Sequence, residues 1–371
     1  MDLTFTFEQQ QLRTSVQKML QGCASRSQGS VSGHEVHTEL VDMGILQLAL
    51  LEEDSGVEDG MASIVAVMEE LGRYRVAEHF LSTFLAARLL APCIVRHAGE
   101  VDHCLGIPGS VAIYEPRARY TFEAPSVEAQ ERETGYLLNG TKVAVSTSGD
   151  PARFIVSARI SGAAQENIGL FIVSAGQTGV EMINYPTIDG GQACSLVLDE
   201  VELKPDALFC RGDLAESLIA DHVQVASLLL SAEALGLMER LLELTVDYCN
   251  QRRQFDKPIG KFQVIQHRLA DLYIHCESIR SLLYAALANY SESSQDTKAS
   301  IAALKFKVGE LGRLAGEVSV QLHGAIGFTE EYSVGRYYKR LMVIDALYGN
   351  TDHQLQVYLR AESTFRPTTQ Q

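Results

Sequence analysis

The chain has 371 residues, 46% of them hydrophobic, and a net charge of −16 from 31 basic and 47 acidic side chains. A chain of this length buries a sizeable core and divides into two or three domains, while its acidic excess disfavours nucleic acid and anionic membrane surfaces, because the long-range field repels both. Seven scattered cysteines (Cys23, Cys93, Cys104, Cys194, Cys210, Cys249, Cys276), odd in number and without a C-x-x-C pair, argue against a disulfide frame or a zinc site.

The opening "MDLTFTFEQQQ" has no basic region followed by an apolar run, and no segment offers the roughly 20 apolar residues of a membrane span. A cytoplasmic protein is the expectation. From Glu8 to Ile107 apolar residues recur at helical spacing, as in Leu40, Val41, Met43, Leu46 and again in Ile64, Val67, Met68, Leu71, which predicts an N-terminal helical bundle over residues 1–108. Between Gly109 and Leu208 short β-branched runs such as "SVAIYE", "ARFIVSARI" and "CSLVLDEVEL" alternate with Gly, Asn, Asp and Pro, predicting an antiparallel β domain over 109–212. Helical spacing returns at Val223–Asn250, Phe262–Tyr290, Thr297–Leu322 and in a shorter segment after Thr329, predicting a four-helix bundle over 213–371. The polar patch "SESSQD" reads as a loop between two of these helices.

Four stretches carry a family resemblance. "QRRQFDKPIGKFQVIQHRLADL" (Gln251 to Leu272) and "QLHGAIGFTEEYSVGRYYKR" (Gln321 to Arg340) resemble two long C-terminal motifs of the acyl-CoA dehydrogenase family. The β region adds "YLLNGTKVAVS", in the place of that family's Y-x-L-N-G-x-K-x-W-I-T, and "LVLDEVELKPDAL". The order helices, β, helices matches over the whole chain. The resemblance implies a flavin architecture in which FAD lies between the β domain of one subunit and the C-terminal bundle of another. A carboxylate takes the α-proton of an acyl-CoA thioester while a hydride leaves the β-carbon for the flavin.

Family members carry the base in one of two places. The glutamate of Y-E-G-T falls on Gly349 in "YGNT", and the alternative position, ten residues before Gly236, falls on Ala226. Neither residue accepts a proton, so no catalytic residue is assigned. Asp345 and Asp352 are acidic neighbours of the first position, but even about 1 Å of misplacement lowers a rate by roughly 10²-fold.

The resemblance divides the flavin contacts in two. The family's T-E-P-x-x-G-S-D loop reads "YEPRARYT" here, keeping only Glu115 and Pro116, with Arg117 or Arg119 expected to fill the space of a glycine-rich approach. The aromatic of W-I-T falls on Ala144 and its threonine on Ser146, and the chain has no tryptophan. By contrast, the residues that members contribute to a neighbour's FAD are kept: Arg252 for the pyrophosphate, Gln254 and Phe255 beside the adenosine part, and Gln321, Gly324 and Ala325 for the Q-x-x-G-G turn, with Ala325 as a departure. A bland reading pairs Arg252 and Arg253 with acids on the bundle surface.

This pattern resembles the smaller, non-catalytic subunit of heteromeric acyl-CoA dehydrogenases. In those, catalytic and degenerate chains form a heterotetramer with half the usual flavins and act on bulky CoA thioesters, steroid side chains in particular. Two other readings stay open: a homomeric dehydrogenase with an unrecognised base, and a cofactor-free scaffold. "HEVH", His34 to His37, reads as a surface helix face because no third metal ligand is near in sequence, and "RYYKR", Arg336 to Arg340, faces either an interface or an anion.

Overall fold

The computed structural model describes residues 5–26, 31–50, 60–93, 109–147, 151–162, 167–290, 295–329 and 332–365. Helices α1 (Phe7–Arg26), α2 (Gly33–Asp42), α3 (Gly60–Tyr74) and α4 (Ala77–Leu90) come first. Eight strands follow: β1 (Gly109–Ala112), β2 (Glu128–Arg132), β3 (Gly135–Ser146), β4 (Arg153–Ser161), β5 (Asn167–Ser174), β6 (Val180–Pro186), β7 (Gln192–Leu203) and β8 (Leu208–Arg211). The C-terminal part holds α5 (Asp213–Gln251), a hairpin of β9 (Arg253–Gln254) and β10 (Lys257–Pro258), α6 (Gln263–Ala288), α7 (Gln295–His323), α8 (Val334–Ala346) and α9 (Thr351–Phe365). By contacts the chain forms two compact units that interleave in sequence: one of Met1–Val31, Glu58–Ala77 and Ala226–Gln371, the other of Ser32–Val57 and Glu78–Val225.

In the second unit the strands form one sheet in the order β6-β7-β3-β2-β4-β5-β8, with β1 also paired to β4. The sheet is mixed, not antiparallel, since both β1 and β2 run parallel to β4. Alternating apolar residues specify which face each strand buries, but not the direction of its neighbour. β1 and β2 pair with successive parts of β4, Gly109 opposite Arg153 and Glu128 opposite Arg159, so the loop between them is pinned at both ends. The core under the sheet is built on Phe154, Phe171, Leu138, Leu196 and Tyr136, with Tyr136 and Phe171 edge to face at 5.1 Å.

The "HEVH" histidines separate: His34 is exposed and His37 is buried. The apolar face of α2, Val36 and Leu40, carries His37 inward with it, and burial pushes its imidazole down to about 4. Neither ring joins a cluster of three ligand atoms among the described residues.

In the first unit α3 and α5 touch backbone to backbone. A Cβ on Gly236 would lie 1.9 Å from the Glu69 carbonyl oxygen, and one on Gly72 would lie 2.2 Å from that of Glu233, so only glycine allows this approach. Beside the contact is a buried charge cluster. Arg13 of α1 meets Glu69 at 3.2 Å and Glu70 at 2.7 Å, and Arg73 and Arg280 both bond Glu239. Burial, only partly offset by Arg13, raises the Glu69 carboxyl to about 7.

The shorter helix expected after Thr329 is two helices, α8 and α9, broken at 347–350. The break is a pair of left-handed residues, Tyr348 (φ 54°) and Gly349 (φ 108°), which helical periodicity does not register. Of "RYYKR", Arg340 turns inward to a bidentate pair with Glu233 at 2.6 and 3.0 Å, and the Tyr337 hydroxyl donates to the Arg73 carbonyl at 2.7 Å. Arg336 is exposed. Most of "SESSQD" lies outside the described residues.

Candidate active site

Each group around the Gly349 turn has a structural partner. The buried Lys305 of α7 donates to the carbonyls of Ile344 (2.7 Å), Asp345 (3.3 Å) and Gly349 (3.3 Å), collecting the carbonyls that the end of α8 leaves open. Burial lowers its ammonium to about 8. Asp345 accepts from both the backbone nitrogen (3.0 Å) and the hydroxyl (2.7 Å) of Thr351. Asn350 caps α9 by accepting from the His353 nitrogen at 3.1 Å, and Gln354 donates to the Tyr348 carbonyl at 2.8 Å. The carboxylate of Asp345 is therefore engaged within the turn, and Asp352 is exposed in the first turn of α9.

The turn also disfavours a side chain, since Gly349 has φ 108° and its neighbours would have to shift. Gly349 is buried, and a Cβ there would sit 2.6 Å from Gln354 Nε2 and 2.7 Å from His353 Cδ2. The second base position, Ala226, is a fully buried methyl within α5. Both positions lack an acid.

In the β unit the surviving Glu-Pro pair has a structural task. Lys142 donates to Glu115 at 2.5 Å and to Ser157 at 2.9 Å, all three buried. Glu115 also accepts from the backbone nitrogens of Ser126 (2.5 Å) and Val127 (3.0 Å). Burial lowers Lys142 to about 8, although Glu115 opposes the shift. This ion pair ties the 113–127 loop to β3. Arg117 (φ 67°) and Arg119 (φ 48°) are left-handed and exposed; within the unit they point to solvent and do not fill a cleft. Arg119 stands where the family motif has glycine and keeps a backbone conformation glycine favours. Ala144 is likewise left-handed (φ 52°), at a bulge in β3, and its amide donates to the Tyr185 hydroxyl at 3.0 Å. The small residue in place of an aromatic and the missing loop glycine do not fit an isoalloxazine ring.

The residues that the resemblance assigns to a neighbour's FAD have a chemistry that suits a dinucleotide. After α5 the chain turns through Phe255 (φ 54°) and Asp256 (φ 62°), a hairpin turn with two left-handed residues that usually carries Asn or Gly. Strain of this kind, of order 1–3 kcal/mol per residue, persists where the surroundings or a function require it. Phe255 is 85% exposed, with its ring edge to face with Phe262 at 6.2 Å. Arg253 donates to the Asp256 carbonyl at 2.7 Å and closes the hairpin, whereas the exposed Arg252 has no carboxylate partner among the described residues. Gln321 and Ala325 are exposed. Gly324 ends α7 at φ 66° with open space where a Cβ would be, and the Ala325 methyl crowds nothing within its unit. His323, between them, is buried and stacks on Tyr248 at 4.4 Å.

Sequence reading did not single out Lys305 or Tyr185. Both lie in ordinary helix or strand patterns, and only the fold brings them to Gly349 and Ala144.

Comparison with known proteins agrees with this architecture. The model described as "Acyl-CoA dehydrogenase, C-terminal domain" matches residues 218–362. The chain is 30% identical to "Acyl-CoA dehydrogenase FadE27" of Mycobacterium tuberculosis over 87% of its own length and 86% of that protein's. It is 27% identical to a chain of the solved ChsE4-ChsE5 complex from Mycobacterium tuberculosis, covering 99% of this chain and 100% of that one with a TM-score of 0.83. It is 26% identical to a chain of a solved "Tcur3481-Tcur3483 steroid ACAD" variant, covering 96% and 98% with a TM-score of 0.81. The chain belongs to the acyl-CoA dehydrogenase family of flavin-dependent oxidoreductases. No helix among the described residues is long and apolar enough to cross a membrane.

Proposed function

We propose that the chain is the non-catalytic subunit of a heteromeric FAD-dependent acyl-CoA dehydrogenase, an assembly that desaturates an acyl-CoA thioester in the cytoplasm. It contributes Arg252, Gln254, Phe255, Gln321, Gly324 and Ala325 to the FAD of a catalytic partner in a heterotetramer, and the partner binds most of the acyl-CoA. The observation that carries this reading is the hairpin after α5. In a chain of net charge −16, an arginine with no acidic partner among the described residues, beside an aromatic held in solvent, suits a pyrophosphate joined to an adenosine.

Arg252 would hold the pyrophosphate through charge-assisted hydrogen bonds, Phe255 and Gln254 would meet the adenosine part, and the open backbone at Gly324 would admit its close approach. Bound FAD supplies the hydride acceptor. The proton must then leave to a base on the partner, because Gly349 and Ala226 offer none. The first half of α6 supports an assembly: Val264, Tyr273 and Ile274 are exposed there, as is Phe328 after α7, and a cluster of large exposed apolar residues marks an interface. The likeness to a structure titled "steroid ACAD" supports a steroid side-chain CoA ester as the substrate.

Co-expression with the companion dehydrogenase chain tests the proposal, with about one FAD per heterodimer expected from shared sites. One FAD per chain would overturn it. A yellow homomer that reduces an acceptor with acyl-CoA would favour an unrecognised base, and a complex without flavin would favour a scaffold.

A further inference from the structure

The end of β3 lies against the first turn of α4, within the same unit, and a carboxylate sits at the contact. The Ser146 hydroxyl donates to Glu78 Oε1 at 3.2 Å. The other carboxylate oxygen lies beside Gly191 of the 187–191 loop: a Cβ on Gly191 would lie 2.6 Å from Glu78 Oε2 and 2.9 Å from Thr187 Oγ1. Thr187 in turn donates its hydroxyl to the buried Asp189 at 2.5 Å, and Asp189 also accepts from the Gly191 nitrogen at 3.4 Å. Two positions back on β3, the Ala144 amide is taken by Tyr185. The hydroxyls of Ser146 and Thr187 and the Ala144 amide are thus all turned toward acceptors of this chain, and two of those acceptors are carboxylates.

We infer that Glu78 closes this strand end to an isoalloxazine ring, so that the chain's own flavin half-site is blocked by an added acid as well as weakened by lost contacts. Apart from one N–H, the polar atoms along the pyrimidine edge of the ring are carbonyl oxygens and ring nitrogens that need donors, and a carboxylate has no hydrogen to give them. Its charge also opposes the negative charge a reduced flavin carries. Bringing such a ring to Ser146 would leave acceptors unpaired on both sides.

The inference rests on the reading that this chain does not use its own half-site, and the test keeps the two apart. Lumiflavin, the ring without the adenosine diphosphate tail, is titrated into the full-length chain and followed by fluorescence quenching, for wild type, Glu78→Gln and Glu78→Ala. Circular dichroism and melting confirm that the variants fold. Removing the charge is expected to tighten lumiflavin binding by about tenfold or more in both variants. A gain confined to Glu78→Ala also supports closure by Glu78 and assigns it to the bulk of the side chain. Unchanged binding in both variants overturns the inference. It leaves the proposed function standing, because lumiflavin has no pyrophosphate for Arg252 to hold. Wild type that binds lumiflavin as tightly as either variant, and carries one FAD per chain with its partner, overturns both.

Discussion

The Lys305 ammonium and the Gly349 carbonyl oxygen lie 3.3 Å apart inside the first unit, and this contact fixes the turn where relatives in the family place a base. Lys305 also holds Ile344 and Asp345, so the backbone around Gly349 is set by an ammonium that has left water to make these bonds. A buried polar group that loses its partners costs roughly 1–3 kcal/mol, which makes the turn resistant to rearrangement.

Gly349→Glu is therefore expected to give no second active site. The new side chain starts from φ 108° and meets Gln354 and His353 within 3 Å, so a destabilisation of about 1–3 kcal/mol accompanies it. Single-turnover flavin bleaching of the mutant heteromer, together with its melting temperature, checks this. A doubling of reducible flavin with matching turnover would contradict it.

Arg252→Ala should weaken FAD binding in the heteromer by roughly 1.5–3 kcal/mol, the value of a charge-assisted contact. Because Arg252 pairs with no acid among the described residues, the melting temperature of the chain should not change. Retention of flavin through dialysis at the wild-type level would remove Arg252 from the site.

Lys142→Met should destabilise the β unit by about 3–5 kcal/mol, since it leaves Glu115 buried without its counter-charge. Adding Glu115→Gln should recover most of that loss. Urea denaturation of the single and double variants measures both steps. A single variant as stable as wild type would show that the pair does not hold the 113–127 loop.

Glu69 gives a pH dependence with a definite sign. Its carboxyl is raised from 4.5 to about 7 by burial, with Arg13 opposing. Between those values the folded chain holds a proton the unfolded chain has released. Stability from this group is full below about 4.5 and is lost as pH rises through 7. Glu69→Gln should flatten that slope and exceed wild type at pH 7.5 by up to about 3 kcal/mol, at ~1.4 kcal/mol per pH unit. Denaturation midpoints from pH 5 to 8 decide the matter, and parallel curves for the two proteins would contradict it.

By itself the sequence determined the order of helices, strands and helices, because apolar period is a local property and the segments are long. It also let Gly349, Ala226 and Arg252 be set against family motifs, since these are readable at fixed spacing. It could not report pairing direction in the sheet, where alternation marks a face and not a neighbour. Nor could it tell that "HEVH" splits between core and surface, or that one C-terminal helix is two. Partnership was likewise beyond it. Lys142 reaches Glu115 across 27 positions and Lys305 reaches Gly349 across 44, and Arg252 reads like any surface arginine until its neighbours are known. Ion pairs and caps depend on distance in space, and only the tertiary structure decided which of these charges meet.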